Sequence, residues 1–340
     1  KSMMSHLKLK ALNFKKKYKL KNGDSILDIG SNDGTFLSYF NKKNKLYGCD
    51  PTIKKFSKYY RKDINQIPDF FSKKILGDKK FNLITSISMF YDLPDPLNFA
   101  EEIYSVLKDN GVWHIELSYM PMMLKNLSYD TICHEHLEYY SLKSLKFLLD
   151  KANLKIIDLS FNQINGGSIA LDITKKESKY KEISHLIKWI LESEKKNRYN
   201  EIKRQKEFFR QCKKHKNLLK KLLLSLKKQN KKVLGYGAST KGNVILQYCN
   251  INSKIIPFIG EVNKFKYNKF TPGSKIKIIS EKQLKNMRPD YLLVLPWHFK
   301  DHIIKRENEF LKKVENLFFH FQILKLFSLN ENLPNHSHFK

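Results

Sequence analysis

Apolar side chains recur along this chain in two alternating rhythms: short continuous runs, and stretches in which they return every three or four positions. Met3, Met4, Leu7, Ala11 and Phe14 keep the helical spacing over residues 3–20. "SILDIG" then reads as a short buried strand, "SNDG" as a loop and "TFLSYF" as the start of a helix. "KLYGCDP" is a second strand ending on an acid, with Pro51 and Thr52 opening the next helix. "FNLITSISMFYDL" is the third strand, "DPLNFAEEIYSVLKDNG" a helix closed by Gly111, and "GVWHIEL" a further strand. Strand and helix alternate to about residue 120, which predicts a parallel, doubly wound sheet.

Beyond that point "SLKSLKFLLDKANL" reads as a helix capped by Ser141, with strands at "KIIDLSFN" and "GGSIALDITK". Residues 178–230 form one or two long lysine-rich helices, in which Ile183, Leu186, Ile187, Ile190 and Leu191 keep a packing face. At 231 the alternation restarts. "KKVLGYGASTKGNVILQYC" is strand, glycine turn and helix, followed by strands at "KIIPFIGEV" and "DYLLVLPW". A helix at "KDHIIKRENEFLKKV" and a last strand at "LFFHFQIL" complete a second α/β domain. The tail "NENLPNHSHFK", with His336 and His338, carries no packing pattern and reads as disordered.

Composition changes this picture little. The net charge is +31, but arginine occurs only at 61, 198, 204, 210, 288 and 306, and the lysines are spread over the whole chain. Nucleic-acid readers favour arginine for its bidentate contacts, so the charge reads as a solvated lysine surface rather than a nucleic-acid footprint. No run of apolar residues is long enough for a membrane span. Cys49, Cys133, Cys212 and Cys249 form no CxxC pair, which argues against a zinc module or disulfide framework and fits a reducing cytoplasm.

"LDIGSNDGTF" holds Gly30 and Gly34, with Asp28, Asn32 and Asp33 around them. It does not match GxGxxG, and acids in the loop disfavour a pyrophosphate on the helix N-terminus. They suit a ligand with a positive centre and no phosphate. S-adenosylmethionine (SAM), with its ammonium, sulfonium and ribose hydroxyls, is such a ligand. Asp50, about 20 residues on at the end of the second strand, is placed to accept both hydroxyls. Met89 completes the expected cofactor contacts.

"YDTICHEHLEYY" at 129–140 concentrates titratable groups. His134 and His136 are two apart, and no third metal ligand stands nearby; zinc helices want HExxH. A histidine beside a carboxylate can instead serve as a base near neutral pH. A helix start with structurally satisfied histidines is the remaining alternative.

The chain resembles the SAM-dependent sugar-nucleotide C-methyltransferases. The resemblance rests on an ordered set: "ILDIGSNDGTFL", "YDTICHEHLEYYSLKSL", "NGGSIAL", "GYGASTKGNVIL", "FTPGSKIKII" and "PDYLLVLPWHFKDHI". It implies a class I SAM methyltransferase Rossmann-like domain and a second, C-terminal Rossmann-like domain, joined by long helices. The expected boundaries are a helical lead-in at 1–20, the methyltransferase domain at 21–175, a helical connector at 176–230, the substrate-binding domain at 231–328 and a tail at 329–340. The resemblance also implies C-methylation of a nucleotide-linked keto-deoxysugar for a surface polysaccharide or similar glycan. His136 matches the family's proton-abstracting base, with Glu135 and His134 orienting it or binding the sugar.

Gly237, Lys241 and Asn243 would contact the substrate's pyrophosphate or base. Tyr91, Tyr139 and Cys133 would lie near the sugar. Two residues depart from the family pattern: Cys133 replaces a tyrosine, and Tyr91 and Asp92 stand where a histidine is usual. The family's N-terminal zinc module is absent. Because the chain opens on Lys1, a fragment is the expectation.

The rival readings are an O- or N-methyltransferase, an NAD(P)-dependent oxidoreductase using "GYGAS", and a lysine-rich binding protein. Against the oxidoreductase stand a missing third glycine and the apolar stretch Ile255–Phe258, where a strand-end acid is needed.

Overall fold

The computed structural model describes residues 2–308 and 316–319. The chain divides into two compact units, residues 1–120 with 137–197, and residues 121–136 with 198–340.

The first unit holds seven strands: β1 (Ser25–Ile29), β2 (Lys45–Cys49), β3 (Ile64–Ile67), β4 (Phe81–Ile87), β5 (Leu107–Ser118), β6 (Leu154–Asn162) and β7 (Ser168–Lys175). Their order is β3-β2-β1-β4-β5-β7-β6. β1 to β5 pair in parallel, and β7 runs antiparallel to both β5 and β6. Ile26, Leu27, Leu83, Ile84 and Ile115 are fully buried, as parallel strands covered on both faces require. The predicted third strand is thus the fourth in the chain. β3, "INQI", went unpredicted because only Ile64 of its four residues is buried.

The helix expected to run to Gly111 covers Pro96–Val106, and Leu107 already pairs with Phe81 as the first residue of β5. Gly111 therefore lies inside a strand, where an added Cβ would meet the Phe81 carbonyl oxygen at 2.6 Å.

The N-terminal helix Ser2–Lys17 buries Ala11 and Phe14 in this unit's core. Buried charges also fasten it. Lys10 Nζ is 2.7 Å and His6 Nε2 2.9 Å from Glu116, which is fully buried on β5. His114 donates from Nδ1 to Asp172 at 2.6 Å while its Nε2 accepts from Lys10, the pattern of a neutral imidazole. The helix Ser184–Lys196, expected as connector, belongs to this unit. Its Glu194, 2% exposed, accepts from the Leu142 and Lys143 amides and from the Tyr119 hydroxyl, capping the helix Leu142–Lys151 with an anion.

Among the described residues the second unit has five parallel strands, β8 (Val233–Tyr236), β9 (Phe258–Glu261), β10 (Lys277–Ser280), β11 (Tyr291–Val294) and β12 (Asn316–Phe319), in the order β10-β9-β8-β11-β12. β10, a short outer strand, was also not foreseen. The 27-residue helix Ile202–Lys228 turns Cys212, His215, Leu219, Leu222, Leu223 and Leu226 inward.

Residues 121–136, within the span expected for the methyltransferase domain, group with this unit by their contacts. The reason is packing. Leu127 and Tyr129 sit in the second unit's core, and the Tyr129 hydroxyl bonds His215 Nδ1 at 2.7 Å and Cys249 Sγ at 3.3 Å. The expected tail, with His336 and His338, lies outside the described residues, as do parts of the last expected helix and strand.

Candidate active site

The cofactor expectation falls on the loop after β1. Gly30 and Gly34 have φ of +76° and +72°, and Asn32 has +50°, left-handed conformations that favour glycine and asparagine. Space demands the glycines as well. A Cβ on Gly30 would meet Met89 Cγ at 3.0 Å, and one on Gly34 would meet the Tyr60 ring at 2.8 Å. Asp33 accepts from the Thr35 amide at 3.0 Å. Asp50, at the end of β2, accepts from the Asn32 amide at 2.9 Å and from the Thr52 amide at 2.7 Å. Asp50 therefore clamps the loop itself, and its remaining lone pairs are what a hydroxyl-bearing ligand would use.

Asp28 is 4% exposed and accepts from the Thr85 hydroxyl at 2.6 Å. Burial, aided by the charge of Asp50 and opposed by the Thr85 bond, pushes its pKa up to about 7. Tyr60 was not foreseen. Its hydroxyl is 2.8 Å from Ser31 Oγ and donates to the Asn32 carbonyl at 3.1 Å, bracing the loop from below. The only signal for it was an aromatic residue shortly after the second strand. Gly30, Asn32, Asp33, Asp50 and Met89 thus converge, with Asp28 behind them. Acids and left-handed turns with no basic side chain in the loop fit a cationic, hydroxyl-bearing ligand such as SAM.

In the second unit the histidine segment separates by exposure. The side chains of His134 and Glu135 are 91% and 56% exposed, and they face each other at 3.7 Å. His136 is half-buried, and its amide donates to the Cys133 carbonyl at 3.2 Å. Burial, aided by the Lys241 charge and opposed by the Thr131 carbonyl and the Glu135 charge, lowers its pKa from the ordinary histidine value. Among the described residues no three His, Cys, Asp or Glu side chains group as a metal site. In the first unit Tyr91 is buried, and its carbonyl accepts from the Leu137 and Glu138 amides at 2.9 and 3.1 Å, while Tyr139 is half-buried.

The second glycine loop follows β8. Gly237 has φ +82°, and a Cβ on it would meet Pro296 at 2.6 Å. Ser239 caps the helix Thr240–Tyr248, which carries Lys241 in its first turn and Asn243 just beyond. One premise used against a dinucleotide oxidoreductase is overturned here: β9 does end on an acid. Glu261 accepts from the Ala238, Val262 and Asn263 amides at 2.9, 2.8 and 3.0 Å, and Lys266 Nζ is 3.7 Å away. The acid repeats the loop-clamping role of Asp50 but with a cation against it. Among the described residues no helix is long and apolar enough to cross a membrane.

Comparison with known proteins agrees with this layout. A methyltransferase-domain family matches residues 4–159, and a C-methyltransferase C-terminal-domain family matches 163–321. The chain is 28% identical over 300 residues to the C-methyltransferase NovU of Streptomyces niveus, a match covering 86% of this chain and 71% of that protein. Among solved structures, it is similar to a SAM-dependent methyltransferase from Clostridium acetobutylicum (14% identity, 50% of this chain, 90% of that one, TM-score 0.41). Another similar structure is a SAM-dependent methyltransferase from Aquifex aeolicus (21% identity, 50% of this chain, 92% of that one, TM-score 0.38). The two matched domains stand in order along one chain, a methyltransferase domain followed by a C-methyltransferase C-terminal domain, and the chain is a SAM-dependent methyltransferase similar over most of its length to a C-methyltransferase.

Proposed function

We propose that the protein methylates a carbon of a nucleotide-linked keto-deoxysugar, with His136 as the base that removes the proton. The observation that carries this reading is the setting of His136. Its ring is half-buried, with the Thr131 carbonyl and the Glu135 charge acting on it, and a neutral imidazole there has one nitrogen able to accept a proton. Its lowered pKa keeps the imidazole neutral at pH 7, the form a general base requires. A carbon-bound proton is acidic enough for such a base only beside a carbonyl, which is why the acceptor is a keto sugar.

When bound, SAM supplies an electrophilic methyl group; Asp28, Gly30, Asn32, Asp33, Asp50 and Met89 are the residues that would hold it. The nucleotide is assigned to the glycine loop at Gly237 and the helix start carrying Asn243, where backbone N–H groups favour phosphate oxygens. Cys133, Tyr91 and Tyr139 are assigned to the acceptor. Glu135 and His134, both exposed, are assigned to its outer hydroxyls.

The test is His136→Ala in the full chain. Methyl transfer should fall by about 10²–10⁴-fold, the usual worth of general base catalysis, while SAM binding by calorimetry stays unchanged. An acceptor labelled with deuterium at the target carbon should lose that label in the product. A retained label would identify an O- or N-methyltransferase, and near-full turnover of H136A would remove His136 from the base role.

A further inference from the structure

Ser88 and Asn165, both in the first unit, hold left-handed backbone without being glycine. Ser88, directly after β4, has φ +59°, and Asn165, at the tip between β6 and β7, has φ +57°. Asparagine enters that region readily, whereas serine enters it at a cost and stays only where its surroundings hold it. Among the described residues two contacts do so. The Ser88 amide donates to the Glu116 carbonyl at 2.7 Å, and Asn165 Nδ2 donates to Ser88 Oγ at 3.3 Å. The tip that carries Asn165 is tied to Glu116 as well. Asn162 Nδ2 donates to the Glu116 carboxylate at 2.8 Å, and Asn162 Oδ1 accepts from the Ile164 amide at 2.9 Å. The fully buried Glu116 thus fixes both sides of the Ser88–Asn165 contact, one through its carbonyl and the other through its carboxylate.

What Ser88 controls is the residue that follows it. The strand order reverses between β1 and β4, and a doubly wound sheet binds its ligand outside the strand ends at such a point. Gly30 leaves β1 there, and Ser88 and Met89 leave β4 beside it. Met89 Cγ lies so close that a Cβ on Gly30 would meet it at 3.0 Å. The turn after β4 is therefore one wall of the space that the cofactor residues line. Its shape depends on a side chain 77 positions downstream.

We propose, resting on the assignment of the loop after β1 and of Met89 to SAM, that Asn165 is a positioning residue of the cofactor site. It holds Ser88 in the left-handed turn and so keeps Met89 against Gly30. Without the contact Ser88 leaves that region, and the Met89 side chain leaves the wall with it. Because Asn165 acts through Ser88, the two side chains form one energetic unit.

The experiment is a double-mutant cycle on the full chain, read by calorimetric binding of SAM. S88A removes the hydroxyl and leaves a residue equally unsuited to the left-handed region. N165G removes the amide and keeps a residue that adopts φ +57° freely. Each should weaken SAM binding by about 3–10-fold, the worth of one hydrogen bond, and the double variant should bind no more weakly than either alone. Binding is read where urea unfolding shows every variant fully folded, so a merely structural loss moves the urea midpoint and leaves the affinity unchanged. Losses that multiply in the double variant overturn the proposal, because Asn165 then acts on the ligand by itself. Wild-type affinity in S88A overturns it as well, whatever N165G does. D50A and M89A that both bind SAM as tightly as wild type overturn the assignment of the cofactor site, and the positioning role with it.

Discussion

Replacing Asp28 by Asn tests the electrostatics beneath the cofactor loop. The folded carboxyl has a pKa of about 7 against an ordinary value of 3.8. Between these values the folded chain keeps a proton that the unfolded chain has released, so stability falls as pH rises through this window. The interval is about three units, and at 1.36 kcal/mol per unit the loss approaches about 4 kcal/mol by pH 8. D28N has no charge to bury. Its stability relative to wild type should therefore grow by about 2–4 kcal/mol between pH 5 and pH 8.

Urea unfolding at constant ionic strength, followed through the fully buried Trp113 of the same unit, reads this difference. Comparing the gap at two pH values cancels the altered bond to Thr85, which is present at both. A gap that does not change with pH would refute the argument. The functional counterpart is SAM affinity. A cation bound near Asp28 favours its ionised form, so wild-type affinity should rise with pH over the same window, and D28N should show no such rise.

Two other side chains carry separable predictions. Tyr60→Phe removes the hydroxyl that holds Ser31 and Asn32, and at about 1 kcal/mol per bond it should cost about 1–2 kcal/mol in urea unfolding and weaken SAM binding by about 5–30-fold where the loop loses its order. Calorimetry decides it, and unchanged affinity would mean that ring packing against Gly34 alone shapes the loop. Glu194→Ala strands the Leu142 and Lys143 amides and the Tyr119 hydroxyl, and should cost about 3 kcal/mol or more in urea unfolding. A loss well below about 1 kcal/mol would show that water replaces the carboxylate.

What could be seen in the sequence follows from where the physics is local. β1, β4 and β7 announced themselves because nearly every position in them is buried and apolar residues predominate. β3 and β10 sit at the outer ends of their sheets, where half the positions face solvent and the run dissolves into "INQI" and "KIIS". The turn after β1 was legible because left-handed conformations restrict residue type at fixed spacing. The allegiance of residues 121–136 was not, because Tyr129 is held by His215 and Cys249, partners 86 and 120 positions away. For the same reason nothing local marks Asp130: its partner, the indole of Trp297, is 167 positions away.

Glu261 is the sharper case. The apolar stretch Ile255–Phe258 suggests a strand without a terminal acid, but β9 begins only at Phe258, so its end falls three residues later, at Glu261. Once placed, Glu261 makes the two units comparable. Each has a strand-end acid that accepts from an amide of its glycine loop, Asp50 from Asn32 and Glu261 from Ala238. The difference is Lys266, which donates to the Ala238 carbonyl at 2.8 Å and stands against Glu261. A ribose diol seeks an acid with open lone pairs, and in the second unit a cation stands against that acid. Two loops built on one plan therefore present opposite electrostatics: the first suits a cationic cofactor, and the second suits an anionic substrate.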